Sequence, residues 1–249
     1  MNRLGPPPLL DNDALQEAVD WAIASRRSIR AFLPTPVLRQ EIEAILGVAR
    51  YCASGMNAQP WQVHVVTGAA KEELSRVILE AYDDPRLLAE LDEPYDYYPR
   101  QWTSPYIERR RKVGWDLYGL LGIPKGDKAR MHEQHARNYR FFDAPVGLLF
   151  TVESVMEEGS YIDLGMFLQS IMVAARARGL DTCPQAAFTT FHRIIARELR
   201  IPDGHRFVCG MSLGYADPSR IENALVTDRE PVSNFTRFHG EEIPKGASR

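Results

Sequence analysis

The sequence predicts an α+β chain folded as a single domain, because helix-period and strand-length apolar patterns follow one another without strict alternation. Two further observations support that class. No GxGxxG follows any strand-like run and no GxxxxGKS/T loop is present, so neither the compact dinucleotide fold nor P-loop nucleotide chemistry is signalled. The 249 residues are 45% hydrophobic and 25% charged, with no internal repeat and no clear linker, which suffices for one sizeable core.

Met1 to Leu10 carries Pro6-Pro7-Pro8 where a signal peptide would have its apolar stretch, and reads as an exposed, extended arm. Asp13 to Arg26 places Leu15, Val19, Ala22 and Ile23 at helical spacing, predicting a helix with one buried face. A second helix is predicted with Thr35 as N-cap and Pro36 in its first position. Its stripe is Leu38, Ile42, Ile45, Leu46 and Ala49. Gln62 to Thr67 is β-branched and closes at Gly68, as a strand does.

Val146 to Val152 is a continuous apolar run of strand length, predicted to be central and covered on both faces. Arg206 to Leu213 reads as another strand, ending at Gly214. Between them, Ser160 to Arg178 predicts a helix that opens with Ser160 and Asp163 in capping-box spacing and closes at Gly179. Ile162, Leu164, Met166, Phe167, Leu168, Ile171, Met172 and Val173 leave this helix almost no polar face. Such a helix is the centre of a large domain or half of an oligomer interface, and at this chain length the interface is preferred. The tail after Phe238 is polar and is expected to drape over the surface.

Composition narrows the function. Thirty Lys and Arg against 33 Asp and Glu give a net charge of −3, with no electrostatic footprint for nucleic acid or an anionic membrane. Three cysteines, Cys52, Cys183 and Cys209, lack CxxC spacing; they exclude a disulfide framework and a cysteine zinc site and suit a reducing cytoplasm. The longest strongly apolar uncharged run, Leu164 to Ala175, falls short of the roughly 18 residues a membrane span needs.

Three stretches carry unusual chemistry. Arg26-Arg27-Ser28-Ile29-Arg30 gathers three guanidiniums and a hydroxyl, which suits a phosphate because Arg forks pair with its oxygens. A solvated basic cap at a helix C-terminus is the alternative. Ala53 to Trp61 packs Ser54, Asn57 and Gln59 around a Gly and a Pro-Trp corner. Its amides suit a heterocycle with alternating donor and acceptor edges, or simply satisfy a loop backbone. In Asp181 to Phe188, Pro184, Ala186 and Ala187 would let the backbone approach a flat ligand, while Cys183 reads as a buried, inert thiol.

Other candidates are weaker. His132 and His135 miss the HExxH spacing by one residue. Arg109-Arg110-Arg111-Lys112 reads as a solvated helix face between Tyr106 and Trp115. No GxSxG elbow is present, so neither metal nor nucleophilic catalysis is signalled.

Taken in order, these stretches together with Asp163-Leu164-Gly165-Met166, Gly179 to Ala186, Met211-Ser212-Leu213-Gly214-Tyr215 and Arg229 resemble the flavin-dependent nitroreductase family over most of the chain. The resemblance implies a three-layer α/β/α sandwich around a mostly antiparallel sheet, in an intertwined homodimer with FMN at the subunit interface. It implies NADPH or NADH as electron donor and a ping-pong transfer to nitroaromatic, quinone or related planar aromatic acceptors. Arg26, Arg27 and Ser28 would then grip the FMN phosphate and ribityl chain, with Arg229 closing on the phosphate and Arg30 near the pyrimidine edge. Ser54 and Asn57, with Gln59 in the same motif, would reach the flavin from the other subunit. Pro184, Gln185 and Ala186 would lie along the ring. Ala53-Ser54-Gly55 departs from the Pro-Ser-Ser common in the family, and Ala186 replaces a Glu found in some branches.

No catalytic side chain is implied, because the cofactor carries the electrons and the protein positions it. Reductive dehalogenation, enal or aldehyde reduction on the same fold, and non-catalytic flavin binding are the alternatives. The segment from about 83 to 143 is expected to form a helical excursion. Ten of the 24 aromatic residues lie between Tyr95 and Phe142, including Trp102 and Tyr106, and they either cover the site or form an accessory core.

Overall fold

The computed structural model describes residues 11–240. The predicted N-terminal arm and the last nine residues of the tail lie outside that range. The helices are α1 (Asn12–Ser25), α2 (Arg39–Ala49), α3 (Gly68–Asp83), α4 (Pro85–Glu90), α5 (Tyr106–Leu120), α6 (Lys128–Ala136), α7 (Gly159–Arg176), α8 (His192–Glu198) and a short α9 (Val232–Phe235). The strands are β1 (Gln62–Thr67), β2 (Val146–Glu153), β3 (Asp181–Gln185) and β4 (His205–Gly214). They form one antiparallel sheet in the order β1-β2-β4-β3.

The layers follow from side-chain alternation. Val146, Leu148, Phe150, Met211 and Leu213 point to one face, where they pack with Ile42 and Ile45 of α2 and Leu164, Phe167 and Ile171 of α7. Leu149 points to the other face, against Ile78 of α3, Ile195 of α8 and an aromatic cluster of Tyr139, Phe141, Phe188 and Phe191. Seven of the eight residues of β2 are buried, as a strand covered on both sides requires. The result is the α/β/α sandwich the resemblance implied.

Two glycines floor the aromatic face. A Cβ on Gly147 would lie 2.4 Å from the Phe141 ring, and one on Gly210 would lie 2.5 Å from the Phe188 ring. The two rings sit 4.7 Å apart, directly on the backbone. Sequence patterning could not foresee this, because it depends on where two distant 3₁₀ turns set their rings.

Several local expectations are corrected. Helix α2 begins at Arg39 rather than Pro36, with Leu38 at the N-cap and no side-chain cap bond, so Thr35 caps nothing. Pro34 and Pro36 bias the residues before them to extended backbone, and the preceding Leu33 N–H donates to the Tyr215 carbonyl instead. Helix α7 has no capping box. Ser160 Oγ donates to the Glu157 carbonyl, and the Asp163 carboxylate accepts from the Gly55 N–H at 3.1 Å, a long-range bond invisible to local spacing. The C-terminal signal holds: Gly179 adopts φ +73°, and the Leu180 N–H closes the helix end on the Ala175 carbonyl.

The expected buried face of α1 is also not formed within one chain. Ala22 alone is buried, while Val19 and Ile23 are about half exposed, because among the described residues α1 packs chiefly on α7. On α7 itself Leu164, Phe167 and Ile171 face the core, but Ile162 is 70% exposed and Met166 is also exposed. An apolar surface therefore runs along the outer sides of α1 and α7.

Candidate flavin site

The site is built on the free edge of the sheet. β3 pairs with β4 on one side. Its other side is taken at the start by Ser28, which bridges Thr182, and by the Ile29 N–H, which donates to the Thr182 carbonyl at 3.1 Å. The segment Arg26 to Arg30 is thus an extended strip laid along β3. Beyond Cys183 that edge is open, and Pro184, which has no N–H to leave unpaired there, is exposed.

Alternation along the strip separates its side chains. Ile29 enters the aromatic core. Arg27 turns toward the loop after β4, donating to the Asn223 carbonyl at 3.1 Å, and lines a shallow cleft with Arg176 and Asp181. Arg26, Ser28 and Arg30 instead surround Cys183. The Cys183 thiol is pushed up to about 11 by burial, and Arg30, a hydrogen bond with Ser28, and Arg26 pull it back down. Arg26 is held below the ordinary arginine value first by burial and then by repulsion from the Arg229 guanidinium.

The charge on this group is not closed. Among the described residues, no Asp or Glu forms an ion pair with Arg26, Arg30 or Arg229. Arg229 Nη1 donates to the Thr227 carbonyl and hydroxyl and to the Asp228 carbonyl, all neutral acceptors. Guanidiniums brought together by the fold without carboxylates are the donor set a phosphate dianion needs. The residues present fit a phosphate-bearing cofactor.

Next to the strip lies a pocket of about 710 Å³ bordered by Pro184 and Ala186 on one side and Tyr95, Tyr97, Tyr161 and Leu168 on the other. That volume is in the range of a cofactor or drug-sized ligand. Tyr95 is fixed by a 2.6 Å bond from its hydroxyl to the Val208 carbonyl and lies 5.2 Å from the Tyr161 ring. The Tyr161 hydroxyl in turn meets Arg206 Nη1 at 3.0 Å. A larger cleft of about 850 Å³, between α2, β1 and the start of α3, contains none of the predicted site residues.

Gln185 is brought to the site through its backbone only. Its side chain is buried, donating to the Asn138 carbonyl at 2.8 Å and accepting from Ser212 Oγ at 2.7 Å. Ser54, Asn57 and Gln59 sit on a loop away from the pocket, none of them lining it. Met56, Asn57 and Gln59 adopt φ of 52°, 59° and 49°, a left-handed conformation that costs non-glycine residues energy. The loop is braced by the Gln59 N–H to Ser54 Oγ and by the Gly55 N–H to Asp163, and Met56 at its tip is fully exposed.

The aromatic-rich segment divides. Tyr95 and Tyr97 reach the pocket, Tyr139, Phe141 and Phe142 are core, and Trp102 sits 4.9 Å beneath the Arg110 guanidinium. The basic run on α5 is largely paired: Arg109 with Glu230 and Lys112 with Asp116. His132 and His135 serve Asp83 and the Tyr82 hydroxyl. Among the described residues, no group of three or more His, Cys, Asp or Glu side chains is placed to hold a metal. No helix there is long and apolar enough to cross a membrane.

Sequence reasoning missed Tyr161, Asn223 and Glu222. Tyr161 lay within a helix read only for its apolar residues, and Ile221-Glu222-Asn223-Ala224 carries no motif.

An antiparallel sheet between helical layers, with an arginine strip along its open edge, is the arrangement this chain shares with the flavin-dependent oxidoreductases it resembles. The model of the nitroreductase family matches residues 23–215, and the chain belongs to that family. It is 43% identical to a 4-nitrobenzoate reductase of Pseudomonas putida, over 91% of this chain and 97% of that one. It is 40% identical to a nitrobenzene nitroreductase of Ectopseudomonas oleovorans, over 88% and 96% of the two chains. The crystal structure of the FMN and NADPH-dependent nitroreductase NfnB from Sphigopyxis sp. strain HMH superposes with a TM-score of 0.86 at 34% identity, covering 89% of this chain and 99% of that one.

Proposed function

We infer that the protein is an FMN-dependent nitroreductase that uses NAD(P)H to reduce nitroaromatic acceptors. The observation that carries this reading is the carboxylate-free group of Arg26, Arg30 and Arg229 beside an aromatic pocket on the open edge of β3. Relatives at 40–43% identity over nearly the whole chain reduce 4-nitrobenzoate or nitrobenzene by name, which favours nitro reduction over dehalogenation or aldehyde reduction.

FMN, when bound, would supply the redox chemistry that links the nicotinamide donor to the acceptor. The chain's part is binding, orientation and electrostatics. Arg26 and Arg229 hold the phosphate, and Ser28 takes the neighbouring ribityl hydroxyls. Arg30 provides a fixed positive charge where negative charge develops on reduction. Arg27, exposed and tied through Nη1 to the Asn223 carbonyl, stands beside them on the strip. Pro184 and the Gln185–Ala186 backbone form the floor for the ring. Tyr95 and Tyr97 border the space left for a planar aromatic acceptor.

The working unit is proposed to be a homodimer in the cytoplasm. The exposed Val19, Ile23, Ile162 and Met166 supply an apolar face. The braced loop at Ser54, Asn57 and Gln59 then completes the flavin site of the partner, which accounts for a strained loop of ligand-type side chains on the surface. The three cysteines are unpaired, in keeping with a reducing compartment.

The purified chain should carry the absorbance of oxidised flavin. It should bleach under anaerobic NADPH or NADH and regain colour on addition of nitrobenzene or 4-nitrobenzoate. A chain that takes up no FMN, or holds reduced flavin that no nitroaromatic reoxidises, would overturn the reading.

A further inference from the structure

We propose that Asn223 is a positioning residue for the cofactor: it holds the Arg26–Arg30 strip in the conformation that presents Arg26 to the phosphate and Arg30 to the ring edge. The proposal rests on the FMN reading and assigns a task within it to a side chain that does not itself line the pocket.

The strip is not part of a regular ladder, so each of its backbone groups needs its own partner. β3 supplies only the Thr182 carbonyl, to Ile29. From there the strip leaves the sheet, and Asn223 takes over. Its Oδ1 accepts from the Arg30 N–H at 2.9 Å. Its Nδ2 donates to the Ala31 carbonyl at 2.8 Å and to the Asp217 carbonyl at 3.0 Å. Its own carbonyl accepts from Arg27 Nη1 at 3.1 Å. One amide thus fixes consecutive residues of the strip, with both donors and the acceptor of a nearly buried side chain in use.

The position of Asn223 is itself over-determined. It lies in the 3₁₀ turn Ile221–Ala224. The preceding Glu222 is 1% exposed and bonded to Arg137 at 2.5 Å and Arg220 at 2.8 Å. Arg137 belongs to the turn that carries the aromatic core, so the amide is referenced to the rigid centre of the molecule rather than to a free loop. Without it, the Arg30 N–H loses its partner among the described residues, and the guanidiniums on either side lose a fixed origin.

This role predicts a loss larger for the phosphate than for the ring. Full-length wild type and Asn223→Ala are dialysed to equilibrium against FMN and, separately, riboflavin, and both dissociation constants are read from flavin fluorescence. The expected result is at least a tenfold weaker FMN constant, with riboflavin, which meets Arg30 but has no phosphate for Arg26, weakened by a clearly smaller factor. Asn223→Gln keeps the amide but displaces it by one methylene, so it should fall between the two and serves if the alanine variant does not fold. Equal weakening of both flavins would show a general structural role and overturn the proposal, as would unchanged FMN binding. A wild-type protein that binds riboflavin as tightly as FMN would remove the phosphate grip itself. Failure of Asn223 alone leaves that grip in place.

Discussion

Two groups of arginines, joined through the adjacent residues Glu222 and Asn223, are treated oppositely by the fold. Arg137 and Arg220 converge on the buried Glu222 carboxylate, and Arg137 also reaches Asp143 at 3.0 Å. Arg26 and Arg229 face each other, and Arg26 titrates lower first through burial and then because Arg229 repels it, while Arg30 joins Arg26 around Cys183. The first group closes its charge internally and fixes the backbone. The second has no carboxylate partner among the described residues, which is what the proposed phosphate seat requires and a strut built of the same side chains does not.

If that contrast is right, the largest effect falls on the closed group. Glu222→Gln leaves two guanidiniums without their buried counter-charge and should cost about 3–5 kcal/mol of stability in urea unfolding. Arg26→Ala in flavin-free protein should cost almost nothing, since it relieves repulsion. Equal losses would erase the distinction.

The same carboxylate gives a pH dependence. Burial pushes Glu222 up, but a backbone hydrogen bond and its bonds from Arg137 and Arg220 hold it below the ordinary glutamate value. A depressed carboxylate contributes stability that is present at neutral pH and is lost as the pH falls through and below the ordinary carboxylate range. The wild-type urea midpoint should therefore drop more steeply on acidification than that of Glu222→Gln. Parallel curves would remove Glu222 from the account.

A smaller loss is expected where the fold is closed by shape alone. Gly210→Ala forces the Phe188 ring off the sheet and should cost about 1–3 kcal/mol, seen as a lower thermal midpoint. An unchanged midpoint would mean that the aromatic layer is loosely packed. The smallest effect belongs to the exposed pair of Arg39 and Glu43. Glu43→Ala should leave the urea midpoint unchanged within measurement error, because exposed ion pairs gain little in water. A larger shift would mean that surface charge matters more here than burial.

Most of the fold was legible because burial imposes periodicity. β1, β2, β4 and α7 were each anticipated to within one or two residues, since each repeats at a period of 2 or 3.6 or is apolar throughout. The misses have a common cause. Asp163, Asn223 and Gln185 all hydrogen-bond to groups far away in sequence, at Gly55, Arg30 and Asn138. Local spacing carries no information about such partners, so Asp163 resembled a cap, and the anchoring of the Gln185 side chain in the core was not foreseen. The strip from Arg26 to Arg30 was legible as chemistry, but its division into Arg26 and Arg30 beside Cys183 and an exposed Arg27 turned to Asn223 needed the bridge to Thr182.

The central claim is that Arg26 and Arg229 of the open group form the cofactor's phosphate seat. Flavin stoichiometry of the Arg26→Ala and Arg229→Ala double variant tests it most directly, with folding followed by circular dichroism. The account predicts a folded, colourless protein beside a yellow wild type. A folded double variant that retains stoichiometric FMN would contradict it.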